Sequence, residues 1–395
     1  MEYKRIIIIV MDSLGVGYDK ESYKYEDEGA STFYHIDQVV GGLNIPTLAS
    51  LGIADLVELK NYQKIEHPHS FTMKLNEKSK GKDTLTGHWE MMGVYTTKPF
   101  KTFTDTGFPK ELIDTLEKET GYKMIGNKAA SGTEIIKELG EEQIKDHSFI
   151  IYTSSDSVLQ LAAHEEIFGL NEIYRVCEIA RDICMKDEWK VARVIARPYL
   201  GDNASNFKRT PNRHDYALAP EVDTVMDYLK NSGFHTDCIG KINDIFASKG
   251  VSSSQKTISN SDGMNKTLEY VKNSDHEGIL FVNLVEFDSE YGHRRKPIGY
   301  GKAIETFDKE LEEVIKNLRD DDLLMITADH GNDPTWKGTD HTREKVPLLI
   351  YSNSIKNGKV LDERASFGDI GATILKNFKI NKANYLLGDI ILEVF

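Results

Sequence analysis

Cysteine is scarce. Three residues, Cys177, Cys184 and Cys238, make up the whole complement of a 395-residue chain. Their spacing forms no metal knuckle and an odd number cannot all pair, so a disulfide-stapled secreted fold is excluded and a reducing cytoplasm is expected. Cys177 and Cys184 fall in a helix-like run, where they read as small buried hydrophobes. Long apolar runs are also missing: the longest near the start, Ile6 to Met11, is ended by Asp12 and is far too short for a secretory core or a membrane span. Positive charge is in deficit. Lys and Arg number 49 against 63 Asp and Glu, a formal net charge of −14, which argues against a nucleic-acid or anionic-membrane partner while leaving room for a local basic pocket. No internal repeat or low-complexity linker is found. The expectation is a soluble intracellular protein, long enough for two domains, whose partners are small molecules.

What is present is an alternation of strands and helices whose strands end in chemistry. Lys4 to Ser13 holds a β-branched run with almost no polar interruption, the pattern of a central strand covered on both faces, with Asp12 at its carboxyl end. Gly278 to Val285 is a second such run, emptying into Asp288 and, five residues on, His293. The third, Asp322 to Thr327, leads into Asp329 and His330, and His341 returns after a loop holding Gly331, Pro334 and Gly338. Carboxylates beside imidazoles are a ligand set for Zn²⁺, Mn²⁺ or Fe²⁺. In a parallel-type sheet the carboxyl ends lie along one edge, so Asp12, Asp288, His293, Asp329, His330 and His341 are expected to converge on two cations.

Ser79 to Glu90 packs three hydroxyls, two glycines and an imidazole into a stretch unsuited to a core, reading as a nucleophile loop that opens a helix. A threonine near a divalent cation can be deprotonated and take a phosphoryl group, and Thr84 and Thr86 are equal candidates on this ground. Between residues 100 and 219 the character changes. Helices are expected at Pro109 to Thr120, Gly132 to Lys145 and Leu170 to Met185, strands at Ser148 to Thr153 and Trp189 to Ala196, and a loop at Gly126 to Gly132. Arg193, Arg197, Arg209 and Arg213 gather in a loop-like region as a candidate anion site, since guanidinium matches phosphate geometry. The segment reads as an insertion between two halves of one α/β domain.

Several long motifs carry a resemblance that runs from end to end. Asp12 after the first strand, Gly-Lys-Asp-Thr84-Leu-Thr-Gly-His-Trp-Glu, Asp-Ser-Glu-Tyr-Gly-His293-Arg-Arg, Thr-Ala-Asp329-His330-Gly-Asn-Asp and Gly-Thr-Asp-His341-Thr-Arg-Glu resemble the motifs of the phosphopentomutase family of the alkaline phosphatase superfamily. Tyr-Thr-Ser-Ser-Asp156-Ser-Val, Arg-Val-Ile-Ala-Arg-Pro-Tyr and Arg-Thr-Pro-Asn-Arg-His-Asp-Tyr extend it into the insertion. The resemblance implies an alkaline-phosphatase-like core (residues 1–99 and 220–395), with a mostly parallel sheet flanked by helices, and an inserted α+β cap (100–219) that holds the sugar phosphate. It implies two Mn²⁺ ions or other divalent cations, one surrounded by Asp12, Thr84, Asp329 and His330 and the other by Asp288, His293 and His341. It selects Thr84 as the phosphorylated residue and Asp156, Arg193, Arg209 and Lys241 as substrate contacts. The implied activity interconverts (deoxy)ribose 1-phosphate and 5-phosphate, with glucose 1,6-bisphosphate or ribose 1,5-bisphosphate as activator, in a monomer or weak homo-oligomer.

Overall fold

The computed structural model describes residues 2–66, 68–154 and 156–395. The chain divides into two compact units, residues up to 99 together with 219–395, and residues 100–218. Ser155 of the serine-rich motif lies outside the described residues.

The first unit is built on an eight-stranded sheet in the order Ser253–Gln255, His235–Ile239, Gly278–Leu284, Arg5–Met11, Asp322–Thr327, Val346–Tyr351, Phe71–Leu75 and Lys359–Val360. All neighbours pair in parallel except around Val346–Tyr351, which runs opposite to both strands beside it. The uninterrupted apolar run of Arg5–Met11 is explained by its place: all seven residues are buried, because helices cover a parallel sheet on both faces. Helices Thr32–Val40, Asn260–Asn273 and Pro297–Lys316 pack together, as do Thr84–Met91, Val225–Asn231 and Gly368–Asn377. Thr224 caps Val225–Asn231 through a reciprocal box with Asp227, leaving few backbone donors unsatisfied at that end.

The second unit has its own sheet, ordered Met124–Ala129, Phe149–Thr153, Val158–His164, Arg193–Leu200 and Lys208–Arg209, with His214–Ala217 also pairing to Arg193–Leu200. Alternate residues of its strands feed two cores. Phe149, Ile151, Leu159 and Leu161 pack with Leu112, Leu116, Val176 and Cys177; Ile150, Tyr152, Ala162 and Tyr199 pack with Ile135 and Ile136. Cys177, Cys184 and Cys238 are free and buried, and burial raises the pKa of each thiol, so they behave as packing residues.

Three expectations need correction. Most of the loop expected at Gly126–Gly132 is strand. Met124–Ala129 pairs with Phe149–Thr153 through a bulge between Gly126 and Lys128, and positive φ at Gly126 and Asn127 supplies the kink that makes the segment read as loop. The strand expected at Trp189–Ala196 begins at Arg193 and continues through Pro198 to Leu200. Pro198 is tolerated because one edge of this strand changes partner there, His214–Ala217 pairing up to Ala196 and Lys208–Arg209 from Tyr199 on, so the missing N–H costs no ladder bond. Arg193 and Arg197 therefore project from a strand and Arg209 from a two-residue strand. Phe71–Leu75 is a strand that composition alone did not mark. Among the described residues no helix is long and apolar enough to cross a membrane.

Ile8 is fully buried at the middle of the central strand. Ile8→Ala is expected to cost about 2–5 kcal/mol, read as a lower urea midpoint; a loss well below that range would contradict the two-sided burial.

Candidate metal and nucleophile site

Register brings the acids together. Met11 pairs with Leu284 and Val10 with Thr327, so three neighbouring strands leave the sheet at one level. Asp12 follows Met11 directly, Asp329 lies two residues beyond Thr327, and Asp288 sits in the helical turn Phe287–Gly292 just past its strand. All three carboxylates are buried. Ser13 takes a left-handed conformation, φ 72°, which turns its N–H to donate to Asp329 Oδ1 at 3.0 Å. Such backbone strain is retained where a site requires it.

The imidazoles are oriented by their outer nitrogens. Nδ1 of His330 is 3.0 Å from the Gly331 carbonyl, Nδ1 of His341 2.9 Å from that of Lys82, and Nδ1 of His293 2.7 Å from that of Thr339. A carbonyl can only accept, so each Nδ1 carries a proton and each Nε2 is turned inward, to hold a cation by its lone pair or, without one, a second proton. These Nε2 atoms meet the acids. His330 Nε2 lies 3.2 Å from Asp329 Oδ2 and 3.6 Å from Asp12 Oδ1. His293 Nε2 is 3.1 Å from Asp288 Oδ2, and His341 Nε2 3.6 Å from Asp288 Oδ1. The Nε2 atoms of His293 and His341 face each other at 3.1 Å, a lone-pair contact that calls for a cation between them.

Ligating atoms of Asp12, Asp329 and His330 lie within 4.8 Å of one another, and so do those of Asp288, His330 and His341. His330 is shared, and its ring stacks on His341 at 3.9 Å. The residues fit divalent metals on an independent ground: Asp12 Oδ1 and Asp329 Oδ2 are buried acceptors with no hydrogen-bond partner among the described residues, a costly arrangement unless a cation satisfies them. The electrostatics agree. Burial and then the Asp329 and Asp288 carboxylates push Asp12 up to about 7, against the pull of His330 and Lys241. Burial acts the same way on Asp329, but His330 and His88 outweigh it and hold that carboxyl below its usual range. For His330, burial is overcome by Asp329, Asp12 and Asp288, and its pKa lies well above the usual value.

Thr84 and Thr86, equivalent by composition, differ in place. Asp83 caps helix Thr84–Met91; the Thr86 hydroxyl is buried and donates to Asp83 Oδ2 at 2.6 Å. The Thr84 hydroxyl, at the helix amino terminus, is instead 3.2 Å from His330 Nε2. Gly87 allows the approach: a Cβ there would fall 2.1 Å from the Asp329 carbonyl oxygen.

Four supporting residues received no role from the motifs, although His88, Asn332 and Arg343 stand within them. Asn283 donates to Asp12 Oδ2 at 2.9 Å and Asn332 to Asp288 Oδ1 at 2.7 Å; an asparagine inside an apolar strand was the available signal for the first. His88 Nδ1 is 2.8 Å from the Thr84 carbonyl and 3.2 Å from Asp329 Oδ2. Arg343 is fully buried. It donates to Asp19 Oδ2 (2.9 Å), Glu77 Oε2 (2.7 Å) and the Ser79 carbonyl (2.9 Å), and also to the carbonyls of Glu77 and Gly81. Two residues past His341, it pins the loop that delivers Thr84.

Of the four residues expected to touch substrate, Lys241 stands just before helix Ile242–Ile245 of the first unit, where its charge acts on Asp12. The other three belong to the second unit. Arg193 lies 3.3 Å from Asp156 Oδ2 and 3.6 Å from Asp215 Oδ2, and Arg213 binds Asp215 through both oxygens at 2.6 and 2.7 Å. Arg197 donates to Gln160 at 3.0 Å; its pKa falls to about 10 through burial, then Arg213, with Arg209 adding to the effect. The arginines thus form one cationic cluster around two half-buried carboxylates, Asp156 and Asp215.

Two outcomes follow. With Asp12 at about 7, metal must displace a proton at lower pH. Divalent-metal affinity measured by calorimetry is expected to weaken by at least about tenfold per pH unit below 7; a flat profile between pH 5 and 7 would count against the shift. Arg343→Met strands Asp19 and Glu77 and is expected to cost about 3–5 kcal/mol in thermal or urea unfolding; a loss under about 1 kcal/mol would contradict the clamp.

A family model described as Metalloenzyme superfamily matches residues 4–382. Over 394 residues the chain is 54% identical to a phosphopentomutase of Clostridium tetani, covering 99% of each chain. Over 392 residues it is 54% identical to a phosphopentomutase of Clostridium beijerinckii, again with 99% of each covered. Among solved structures, the PH0037 protein from Pyrococcus horikoshii aligns with a TM-score of 0.51 at 14% identity, over 97% of this chain and 99% of that one. That likeness speaks for the α/β fold alone. With matching family model, near-complete coverage and more than half of its residues identical, the chain belongs to the metalloenzyme superfamily and, within it, to the phosphopentomutase family.

Proposed function

We propose that this enzyme interconverts ribose or deoxyribose 1-phosphate and 5-phosphate, with Thr84 as the residue that carries the phosphoryl group. The observation that carries the reading is the Thr84 hydroxyl itself: at a helix amino terminus, 3.2 Å from His330 Nε2, beside two sets of metal-ligand side chains.

Asp12, Asp329, His330 and Thr84 would hold one divalent cation and Asp288, His293 and His341 a second, with Mn²⁺ the assigned ion. Bound there, the cations would lower the pKa of the threonine hydroxyl and offset charge on the phosphoryl oxygens. Every other task falls to the chain. Thr84 opens helix Thr84–Met91, whose Thr86 N–H is capped by Asp83, and the helix dipole favours negative charge at that end. His88 holds the Thr84 carbonyl, and Arg343 holds the loop behind it, so the hydroxyl is presented without a search for position.

Phosphorylated Thr84 would donate to the free hydroxyl of a pentose monophosphate. The O–P bond to Thr84 breaks as the bond to the sugar forms, giving a 1,5-bisphosphate. Return of the other phosphate to Thr84 releases the isomer and regenerates the phosphoenzyme. A bisphosphate such as glucose 1,6-bisphosphate or ribose 1,5-bisphosphate would prime the unphosphorylated protein. Lys241 in the first unit, and Asp156, Arg193 and Arg209 in the second, are assigned to the sugar phosphate, guanidinium being suited to two-point phosphate recognition. In this reading residues 100–219 are the substrate-holding cap and the remainder the catalytic core.

The test is conversion of ribose 1-phosphate to ribose 5-phosphate with Mn²⁺ present while free phosphate is followed. Isomerisation without phosphate release is expected, falling at least about 10³-fold in Thr84→Ala. Hydrolysis as the main outcome, or full activity in Thr84→Ala, would overturn the proposal.

A further inference from the structure

At the opposite edge of the core sheet stands a separate group of metal-ligand side chains. His235 opens strand His235–Ile239 at its amino end, far along the strand direction from the acids that follow the carboxyl ends. Asp237, two residues on, shares its face, and His276 comes from the turn before Gly278–Leu284. One ligating atom from each lies within 4.8 Å of the others. The two rings stack with centroids 3.7 Å apart and planes 10° from parallel, and His276 Nδ1 is 2.8 Å from Asp237 Oδ2.

The carboxylate between them is built in. Asp237 is buried; Ser253 donates to its Oδ1 at 2.5 Å and Tyr270 to its Oδ2 at 3.1 Å, the outer contacts that orient a metal's carboxylate ligand. The His235 N–H donates to the Glu277 carbonyl at 2.9 Å, keeping both histidine-bearing segments in register. Both imidazoles are exposed, so a cation could enter from solvent with water completing its shell.

We propose that His235, Asp237 and His276 form an additional transition-metal site, distinct from the nucleophile centre, that fastens the turn at 274–277 to the edge strand. Two imidazoles and one carboxylate select a borderline ion such as Zn²⁺ over Mg²⁺ or Mn²⁺. The full-length protein, its His276→Ala variant and its His235→Ala variant are dialysed to equilibrium against Zn²⁺, and zinc per chain is measured. The wild type is expected to retain one more zinc than either variant and to show a larger zinc-induced rise in Tm, while turnover of the Mn²⁺-loaded variants stays within about twofold of wild type. Equal zinc content in wild type and both variants would overturn the site, as would a third bound ion that persists when either histidine is removed.

Discussion

Three buried carboxylates at the ends of adjacent parallel strands repel one another, and the rest of the site is arranged around that repulsion. The sheet imposes the crowding: Arg5–Met11 lies between Gly278–Leu284 and Asp322–Thr327 in matched register, so Asp12, Asp288 and Asp329 have no room to spread. Burial denies them water. Imidazole lone pairs add to the demand, because backbone carbonyls fix the outer nitrogen of His293, His330 and His341. A protein can hold such a set only with positive charge among the ligands, whether protons or metal ions. This is the physical sense in which the fold is that of a metalloenzyme.

A second layer keeps the first in place. Asn283, Asn332 and Ser13 direct hydrogen bonds at the three acids, and Gly87 lets the threonine helix approach the Asp329 backbone. Arg343 is the widest link. Its guanidinium spends its donors on two carboxylates and three carbonyls, joining the segment after His341 to the loop before Thr84. Rigid positioning of this kind lets binding geometry stand in for translational freedom when a phosphoryl group is passed.

The second unit differs in how it organises charge. Its arginines gather around two acids, Asp156 and Asp215, and the half-buried Asp215 carboxyl is held low by Arg213, Arg193 and Arg197 against the effect of burial. Four cations to two anions leave a surplus. The placement of Arg193, Arg197 and Arg209 on strands, rather than in a loop, gives that surplus a fixed address. Composition could not anticipate this, because Pro198 and the bulge near Gly126 both read as loop signals, and both are absorbed at positions where a strand's ladder is already interrupted.

The sequence by itself determined the central strands, the helices with clear apolar periodicity, and the list of acids and imidazoles. Those follow from local rules: β-branched runs bury on both faces, and Asp or His directly after such a run stands at a sheet edge. Motif resemblance alone could prefer Thr84 over Thr86. Tertiary structure supplied the physical distinction, since only the packed helix reveals that Asp83 occupies the Thr86 hydroxyl while Thr84 faces His330. It alone decided that Asn283 and Arg343 serve the site. Their partners lie hundreds of residues away along the chain, and long-range pairing of that kind leaves no periodic trace in a single sequence.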